Sequence, residues 1–237
     1  MLGAPPLVGS TGRGIRVAVV DSGVHENHPH IGSVIGGVRL GVHDDDADYG
    51  DRLGHGTAVC AAIHEKAPDA ELLAIKIFDT SLSASSDVLA RAIRYAVEQG
   101  ARLVNLSLGT TNPLHLAELR AAVAAASRAG ALVVAARDEN RTHWLPGAFA
   151  EVFGVSLDWS SPRHQLDMVQ QGETLSARAS GFPRPIPGVP PHRNVSGISF
   201  AVANATGLLA LLLQGEPSVR TMTDVARLLN EREAARS

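Results

Sequence analysis

Five short segments of the chain combine apolar, largely β-branched side chains with turn residues on either side. Continuous apolar runs of this length are typical of strands that are buried on both faces, as in a parallel sheet. Helical patterns separate the five segments, and strands that alternate with helices form a parallel sheet covered on both faces. The sequence therefore predicts an α/β fold of three layers, with a mostly parallel central sheet and helices on both faces. The predicted strands are residues 15–20, 71–78, 102–106, 131–136 and 152–156.

The helical patterns have clear ends, because Gly100 and Gly130 follow two of them as stop signals. Residues 158–194 are rich in Pro, Gly, Ser and Gln, so a long loop that is either functional or mobile is expected there. Sheets of this kind bind ligands at the carboxyl ends of their strands, and we expect the chemistry at that edge. The predicted helices are residues 87–99, 114–129, 199–213 and 221–232.

The chain length fits one large domain, which we place at residues 15–237 after an N-terminal extension of residues 1–14. Apolar residues make up 45% of the chain and charged residues 19%, which excludes intrinsic disorder. The formal net charge of −3 gives no general attraction to nucleic acid or to an anionic membrane. We therefore expect neither of these as a partner.

Two further features bear on the cellular compartment. Cys60 is the only cysteine, so an internal disulfide is excluded. Residues 1–14 are rich in Gly and Pro and lack the apolar core of a signal peptide. The apolar run at residues 207–213 is far shorter than the roughly 20 residues that span a bilayer. These features indicate a cytoplasmic protein, or the trimmed mature form of a secreted one.

Three short clusters contain the residue types that acyl transfer requires. Asp21 ends a predicted buried strand, His55 stands between two glycines at the start of a helical pattern, and Ser199 opens the helix at 199–213. Each has an ordinary structural explanation when taken singly, as a turn cap, a satisfied polar side chain or a helix cap. Together they supply a hydroxyl nucleophile, a base to remove its proton and a carboxylate to orient that base. The sequence thus indicates a catalytic triad.

The clusters occur in the order Asp21, His55, Ser199, and in this order the chain resembles the subtilisin-like serine proteases, or subtilases. The G-x-S-x-G arrangement of other hydrolases does not fit, because position 201 is Ala. The resemblance extends over about residues 14–213 and includes the segments 67–78, 104–109 and 130–136. It implies a serine endopeptidase that works through an acyl-enzyme intermediate. It also assigns substrate binding to a segment at the end of a strand, consisting of Leu106, Ser107, Leu108 and Gly109.

The expected oxyanion hole departs from the family pattern. Subtilases usually place Gly-Asn after the strand at 131–136, whereas this chain has Arg137-Asp138. An ionised carboxylate only accepts hydrogen bonds, but a protonated one can donate to an oxyanion. Three alternatives stay open: a protonated Asp138 donates, Asn140 takes its place, or the enzyme relies on the backbone N–H of Ser199 and is slow or inactive.

An acidic run precedes His55 and consists of Asp44, Asp45, Asp46 and Asp48, with Tyr49 and Asp51 following. Calcium binding, which is frequent in subtilases, is one interpretation. A solvated acidic surface and a preference for basic substrates are the others. The histidines show no metal-ligand spacing beyond the pair His28 and His30, so no metal site is predicted. Cys60 is expected to be a small buried side chain.

The predicted function is hydrolysis of a peptide or protein substrate by Ser199, His55 and Asp21, without a required cofactor. One interpretation is a dedicated protease that processes a peptide or protein precursor. Many subtilases carry a long N-terminal pro-segment, and we expect this chain to fold without one or to have lost it. The alternative is a catalytically weak or inactive relative that binds peptides by strand addition, an alternative that Asp138 favours.

Overall fold

The computed structural model describes residues 2–3, 9–32, 34–41, 45–112, 114, 116–139, 142–171 and 174–234. A ten-stranded sheet runs through the middle of the fold, in the order β1-β11-β12-β10-β7-β6-β2-β5-β3-β4. The seven strands from β12 to β3 are parallel to their neighbours, and β11, β1 and β4 are antiparallel additions at the two edges. The strands are β1 Leu2–Gly3, β2 Arg16–Asp21, β3 Val34–Leu40, β4 Asp45–Asp46, β5 Glu71–Lys76, β6 Leu103–Leu106, β7 Leu132–Ala136, β10 Phe153–Leu157, β11 Gln165–Gln171 and β12 Thr174–Ala179, with β8 Asp138–Glu139 and β9 Thr142–His143 forming a separate pair.

Helices cover both faces of this sheet. Side chains of β2 alternate between two hydrophobic cores: Val17 and Val19 point into one, and Ala18 and Val20 into the other. The first core contains residues of α1, α4 and α5, and the second contains residues of α2 and α3. The predicted three-layer α/β fold is therefore confirmed. The helices are α1 His55–Lys66, α2 Ser86–Glu98, α3 Leu116–Ala129, α4 Ile198–Leu213 and α5 Met222–Ala234, with a short 3₁₀ helix at Pro191–Arg193.

The expectation of a structureless loop at 158–194 is wrong for part of that segment. Strands β11 and β12 form an antiparallel hairpin that extends the sheet beyond β10. Leu166 on β11 and Leu175 and Ala177 on β12 point into the first core. Gln165, Asp167 and Arg178 are less buried than these residues, but Ser176 between Leu175 and Ala177 is buried, so the period of two is only partly present. Among the described residues, no helix is long and apolar enough to cross a bilayer.

Candidate active site

The end of β2 and the start of α1 bring Asp21 and His55 into contact. Asp21 is the last residue of β2 and is fully buried, while His55 is the first residue of α1 and is partly exposed. The Nδ1 atom of His55 lies 2.7 Å from Oδ1 of Asp21. An ionised carboxylate only accepts, so the hydrogen-bond network assigns the proton to Nδ1. This leaves Nε2, on the other side of the ring, free to accept a proton.

Two glycines permit this contact, because the backbone after β2 passes close to the first turn of α1. A Cβ on Gly56 would lie 2.2 Å from the carbonyl oxygen of Gly23. A Cβ on Gly23, which has a φ of 100°, would lie 2.2 Å from the carbonyl oxygen of Tyr49. A side chain on Gly56 would push the strand end and the helix apart, and one on Gly23 would collide with the backbone at Tyr49, before α1. The glycines of both motifs are therefore part of what positions Asp21 and His55.

Asp51 holds the N-terminus of α1 through five hydrogen bonds. Its Oδ1 accepts from the Ser22 hydroxyl at 2.8 Å and from the backbone N–H groups of Leu53 and Gly54 at 2.9 and 2.8 Å. Its Oδ2 accepts from the backbone N–H and the hydroxyl of Thr57 at 2.8 and 2.6 Å. The Ser22 hydroxyl also accepts from the N–H of Gly56 at 2.9 Å. One half-buried carboxylate thus connects the residue after Asp21 to the first turn of α1.

The two carboxylates also set the charge state of His55. Burial opposes protonation of the ring, but the hydrogen bond and charge of Asp21 and the charge of Asp51 outweigh it, so the pKa of His55 is raised above 6.5. Burial also disfavours the charge on Asp51, yet the hydrogen bonds from Thr57, Ser22 and Gly54 lower its pKa. An imidazolium formed at His55 is therefore stabilised by two negative charges.

Ser199 lies in the first turn of α4 and is tied to the end of β6. Its hydroxyl donates to the carbonyl oxygen of Ser107 at 3.1 Å, and the Ser107 hydroxyl donates to the carbonyl oxygen of Ser199 at 3.2 Å. The buried amide of Asn105 donates to the Ser107 hydroxyl at 2.8 Å, and its Oδ1 accepts from the Thr206 hydroxyl at 2.9 Å. The Phe200 ring lies 5.9 Å from the His55 ring, centroid to centroid. The N-terminus of α4 therefore lies beside His55, and the Ser199 hydroxyl points toward the carbonyl oxygen of Ser107.

The predicted substrate segment follows the same strand end. Leu106 and Ser107 are buried, whereas Leu108 and Gly109 are partly exposed. Trp144 packs closely over Gly109, since a Cβ at that position would lie 3.0 Å from Cβ and 3.4 Å from Cε3 of the tryptophan. The partly buried Trp144 packs against the first hydrophobic core, and its Nε1 is buried without a hydrogen-bond partner among the described residues. The exposed end of the segment thus has a bulky aromatic neighbour.

The expected oxyanion donors are described only in part. The backbone of Asp138 forms β8 with Glu139, directly after β7 and Arg137, but its side chain lies outside the described part of the chain. Asn140 lies outside the described residues altogether. The Ser199 N–H belongs to the first turn of α4, where backbone donors have no carbonyl partner within the helix. Of the expected oxyanion donors, the Ser199 N–H is the one whose position the structure describes.

Three carboxylates of the acidic run point to different partners, and Asp44 lies outside the described residues. Asp45 pairs with Arg91, Asp46 with Arg39 and Asp48 with Arg52. Among the residues described, no group of three or more His, Cys, Asp or Glu side chains is placed to hold a metal ion. Calcium binding and a preference for basic substrates at this run stay predictions. Cys60 is buried as expected, and burial raises the pKa of its thiol, which makes it a poor nucleophile.

The sequence patterns did not predict the contacts that three residues make in the site. Asp51 stands just before a predicted helix, where an Asp usually signals a cap, but it was grouped with the acidic run. The amide of Asn105 and the indole of Trp144 carry no local signal, because their partners are far away in sequence. Only the folded chain assembles these contacts.

Comparison with known proteins places this geometry in a family. The Subtilase family profile matches residues 12–234. An intracellular serine protease of Paenibacillus polymyxa is 32% identical over 90% of this chain and 71% of its own length. M-protease of Shouchella clausii is 31% identical over 89% of this chain and 57% of its own length. The crystal structure of a cold-adapted subtilisin-like serine proteinase superposes with a TM-score of 0.70 at 21% identity, over 94% of this chain and 84% of that one. The chain therefore belongs to the subtilase family and is a serine-type endopeptidase.

Proposed function

We propose that Ser199, His55 and Asp21 are the nucleophile, the general base and the orienting acid of this endopeptidase. The observation that carries the proposal is the 2.7 Å contact between Nδ1 of His55 and the buried Asp21. This contact leaves Nε2 as the free basic nitrogen of a ring that lies beside the N-terminus of α4, where Ser199 stands. A buried carboxylate on the far side of the imidazole is the arrangement that stabilises the cation formed when the hydroxyl gives up its proton.

The reaction proceeds in two halves. The Ser199 hydroxyl leaves its bond to the Ser107 carbonyl, and its oxygen attacks the substrate carbonyl carbon while Nε2 of His55 takes its proton. The imidazolium then protonates the leaving nitrogen, the C–N bond breaks and an ester to Ser199 remains. Water repeats the attack on the ester: His55 takes its proton, the ester bond breaks and the Ser199 hydroxyl regains a proton. Atoms and charges balance over the cycle, and no cofactor takes part.

The negative oxygen of each tetrahedral intermediate is bound by the N–H of Ser199, at the positive end of the α4 dipole. We propose the protonated carboxyl of Asp138 as the second donor. Its position in sequence, directly after β7 and Arg137, supports this assignment. Loss of one oxyanion donor costs about 10²–10³ in rate, so Asp138→Ala is expected to lower the rate by that factor, whereas Asp138→Asn keeps an N–H donor and is expected to stay near the wild-type rate. An unchanged rate in Asp138→Ala, or a large rise in Asp138→Asn, contradicts the assignment.

The substrate is an extended peptide that lies along Leu106, Ser107, Leu108 and Gly109. Because Trp144 fills the space over Gly109, the pocket there accepts small side chains and rejects large ones. Selectivity of this kind suits a protease that processes a particular peptide or protein precursor. We place this activity in the cytoplasm, in line with the relative that is named an intracellular serine protease.

The test is mass spectrometry of a diverse peptide library after incubation with the wild-type chain, with Ser199→Ala and with Ser196→Ala. Ser196 is an exposed serine three residues before the nucleophile and serves as the matched control. We expect cleavage products from the wild type and from Ser196→Ala and none from Ser199→Ala. Peptides that bind to the wild-type chain and stay intact would contradict the proposal and favour a peptide-binding module.

A further inference from the structure

A cavity of about 300 Å³ opens beside α1, on the outer side of the loop that follows β2. We call it the Arg184 pocket, after the one arginine in its lining. Gly54 and Thr57 line it next to His55, and Val195 lines it four residues before Ser199. None of residues 106–109 contributes to its wall. The pocket is thus adjacent to both reacting side chains but separate from the segment proposed to bind the substrate before the scissile bond.

The polar groups of this pocket are mainly hydrogen-bond donors. Arg184 is partly exposed and uses Nη1 to donate to the carbonyl oxygen of His30 at 3.1 Å. Among the described residues, no carboxylate lies within ion-pair distance of its guanidinium. Nδ1 of His28 accepts from the backbone N–H of His30 at 3.2 Å, so neutral His28 carries its proton on Nε2 and can donate there. His25 and Asn194 add two more polar side chains to the lining.

One acidic residue, Asp51, also lines the pocket. Both of its oxygens are already engaged, with three hydrogen bonds at Oδ1 and two at Oδ2. These donors belong to Ser22, to the two residues before α1 and to its first turn, and they occupy both oxygens of Asp51. Arg184 has no carboxylate partner among the described residues and is the positive charge available to a ligand.

The position of the pocket says which part of a substrate reaches it. His55 protonates the leaving nitrogen, so the peptide after the scissile bond must pass on the imidazole side of the site. The residues next to His55 in α1 form one wall of the Arg184 pocket. We propose that this pocket binds a carboxylate of the substrate segment that follows the scissile bond. The inference rests on the proposed function, because it takes His55 to be the residue that protonates the leaving group.

The carboxylate has two sources, an acidic side chain or the free C-terminus of a short leaving peptide. Internally quenched peptides test them separately. One series carries Glu or Gln at each of the first three positions after the scissile bond, and another ends in a free acid or an amide. If the carboxylate makes a charge-assisted contact to Arg184, then in at least one of these pairs the substrate with the carboxylate has a kcat/KM about 5- to 10-fold higher than its neutral partner.

Arg184→Gln is expected to bring that ratio to about one, whereas Arg193→Gln, an exposed arginine of the same segment outside the lining, is expected to keep it. The ratio compares two substrates on one variant, so a general loss of activity cancels. If Arg184→Gln does not fold, the wild-type ratio is measured against salt, which must lower it because the contact is between charges. A ratio of one in the wild type, or one that survives both Arg184→Gln and high salt, overturns the inference.

A peptidyl anilide, which has no amino acid after the scissile bond, separates this result from the proposed function. Wild-type protein that cleaves the anilide but shows equal rates for every carboxylate and neutral pair contradicts the Arg184 pocket alone. Wild-type protein that cleaves neither the anilide nor any peptide contradicts the proposed function, and the inference fails with it.

Discussion

The two halves of the candidate site are built in different ways. The acid–base half is fixed by a buried strand end, two close-packed glycines and the five hydrogen bonds of Asp51. In the nucleophile half, the Ser199 hydroxyl donates a hydrogen bond to a main-chain carbonyl, that of Ser107. The first half needs no rearrangement to act. In the second, the hydroxyl has to give up this hydrogen bond before it can react.

This difference predicts how the halves respond to substitution. Changes in the acid–base half disturb both the geometry and the pKa of His55, because the same carboxylates position the ring and raise its pKa. Changes in the nucleophile half affect the reaction without moving that pKa. The following predictions test the contrast, and they run from the largest expected effect to the smallest.

Removing the nucleophile has the largest expected effect. Ser199→Ala is expected to lower kcat by about 10⁶-fold, because no other hydroxyl can form the ester. The folded chain and the pKa of His55 are expected to stay as they are, which NMR titration of the imidazole checks. Ser196→Ala is the control. A residual kcat within tenfold of the wild type would show that another group attacks.

Removing the charge of Asp21 is expected to lower kcat by about 10⁴-fold, because an amide no longer favours the correct tautomer of His55. The ring also loses its hydrogen-bonded carboxylate, so its pKa falls. The measurement is kcat/KM against pH for Asp21→Asn and the wild type. Wild-type kcat/KM is expected to rise with pH through a midpoint above 6.5, where His55 loses its proton. A midpoint that Asp21→Asn leaves in place would contradict this assignment.

The raised pKa of His55 also has a consequence for stability. The protonated ring is favoured in the folded state, so its contribution to the free energy of unfolding is fully present below pH 6.5. It is lost as the pH rises through the folded-state pKa. Denaturant unfolding at a series of pH values, compared with His55→Ala, isolates this contribution.

Asp51 acts on His55 through the helix rather than on the substrate, so a smaller effect is expected. Asp51→Asn leaves donors of α1 or Ser22 without an acceptor, which costs about 1–3 kcal/mol of stability. Displacement of His55 is expected to lower kcat by about 10- to 100-fold and to move the pH midpoint downward. Asp48→Asn, an exposed carboxylate paired with Arg52, is the control. An unchanged midpoint in Asp51→Asn would mean that Asp51 is only a helix cap.

Trp144→Ala is expected to have the smallest effect on turnover and to change selectivity instead. It opens the space over Gly109, so peptides with a large side chain before the scissile bond gain about tenfold in kcat/KM relative to those with Ala. The checks are a substrate series at that position and, as control, Trp159→Ala, which replaces an exposed tryptophan. Parallel changes for large and small side chains would show that Trp144 does not limit the pocket.

The residue types of Asp21, His55 and Ser199 and their order in the chain predicted a triad, and in the folded chain Asp21 and His55 are in contact. The sequence also predicted five parallel strands, β2, β5, β6, β7 and β10, and the helices α2 to α5, but it did not predict β3. It did not predict the β11–β12 hairpin, where buried residues such as Leu166 and Leu175 alternate with polar ones in short strands. Pairing against β10 decides that structure, and pairing is a long-range effect.

The contacts of Asp51 were also out of reach of sequence patterns, for a related reason. Its hydrogen-bond donors come from Ser22, Leu53, Gly54 and Thr57, and the first of these lies 29 positions away. An acidic run looks the same in sequence whether its members face water or hold a helix end. Only the close approach of Gly23 and Gly56 brings these groups together.

The central claim is that the Ser199 hydroxyl is made reactive by His55 and Asp21. A fluorophosphonate probe tests this most directly, since it reacts with serine only where a base accepts the proton as fluoride leaves. The account predicts one adduct, mapped by mass spectrometry to Ser199, that forms much more slowly in His55→Ala and Asp21→Asn. The absence of an adduct between about pH 5 and pH 9, or an adduct at a different serine, would contradict it.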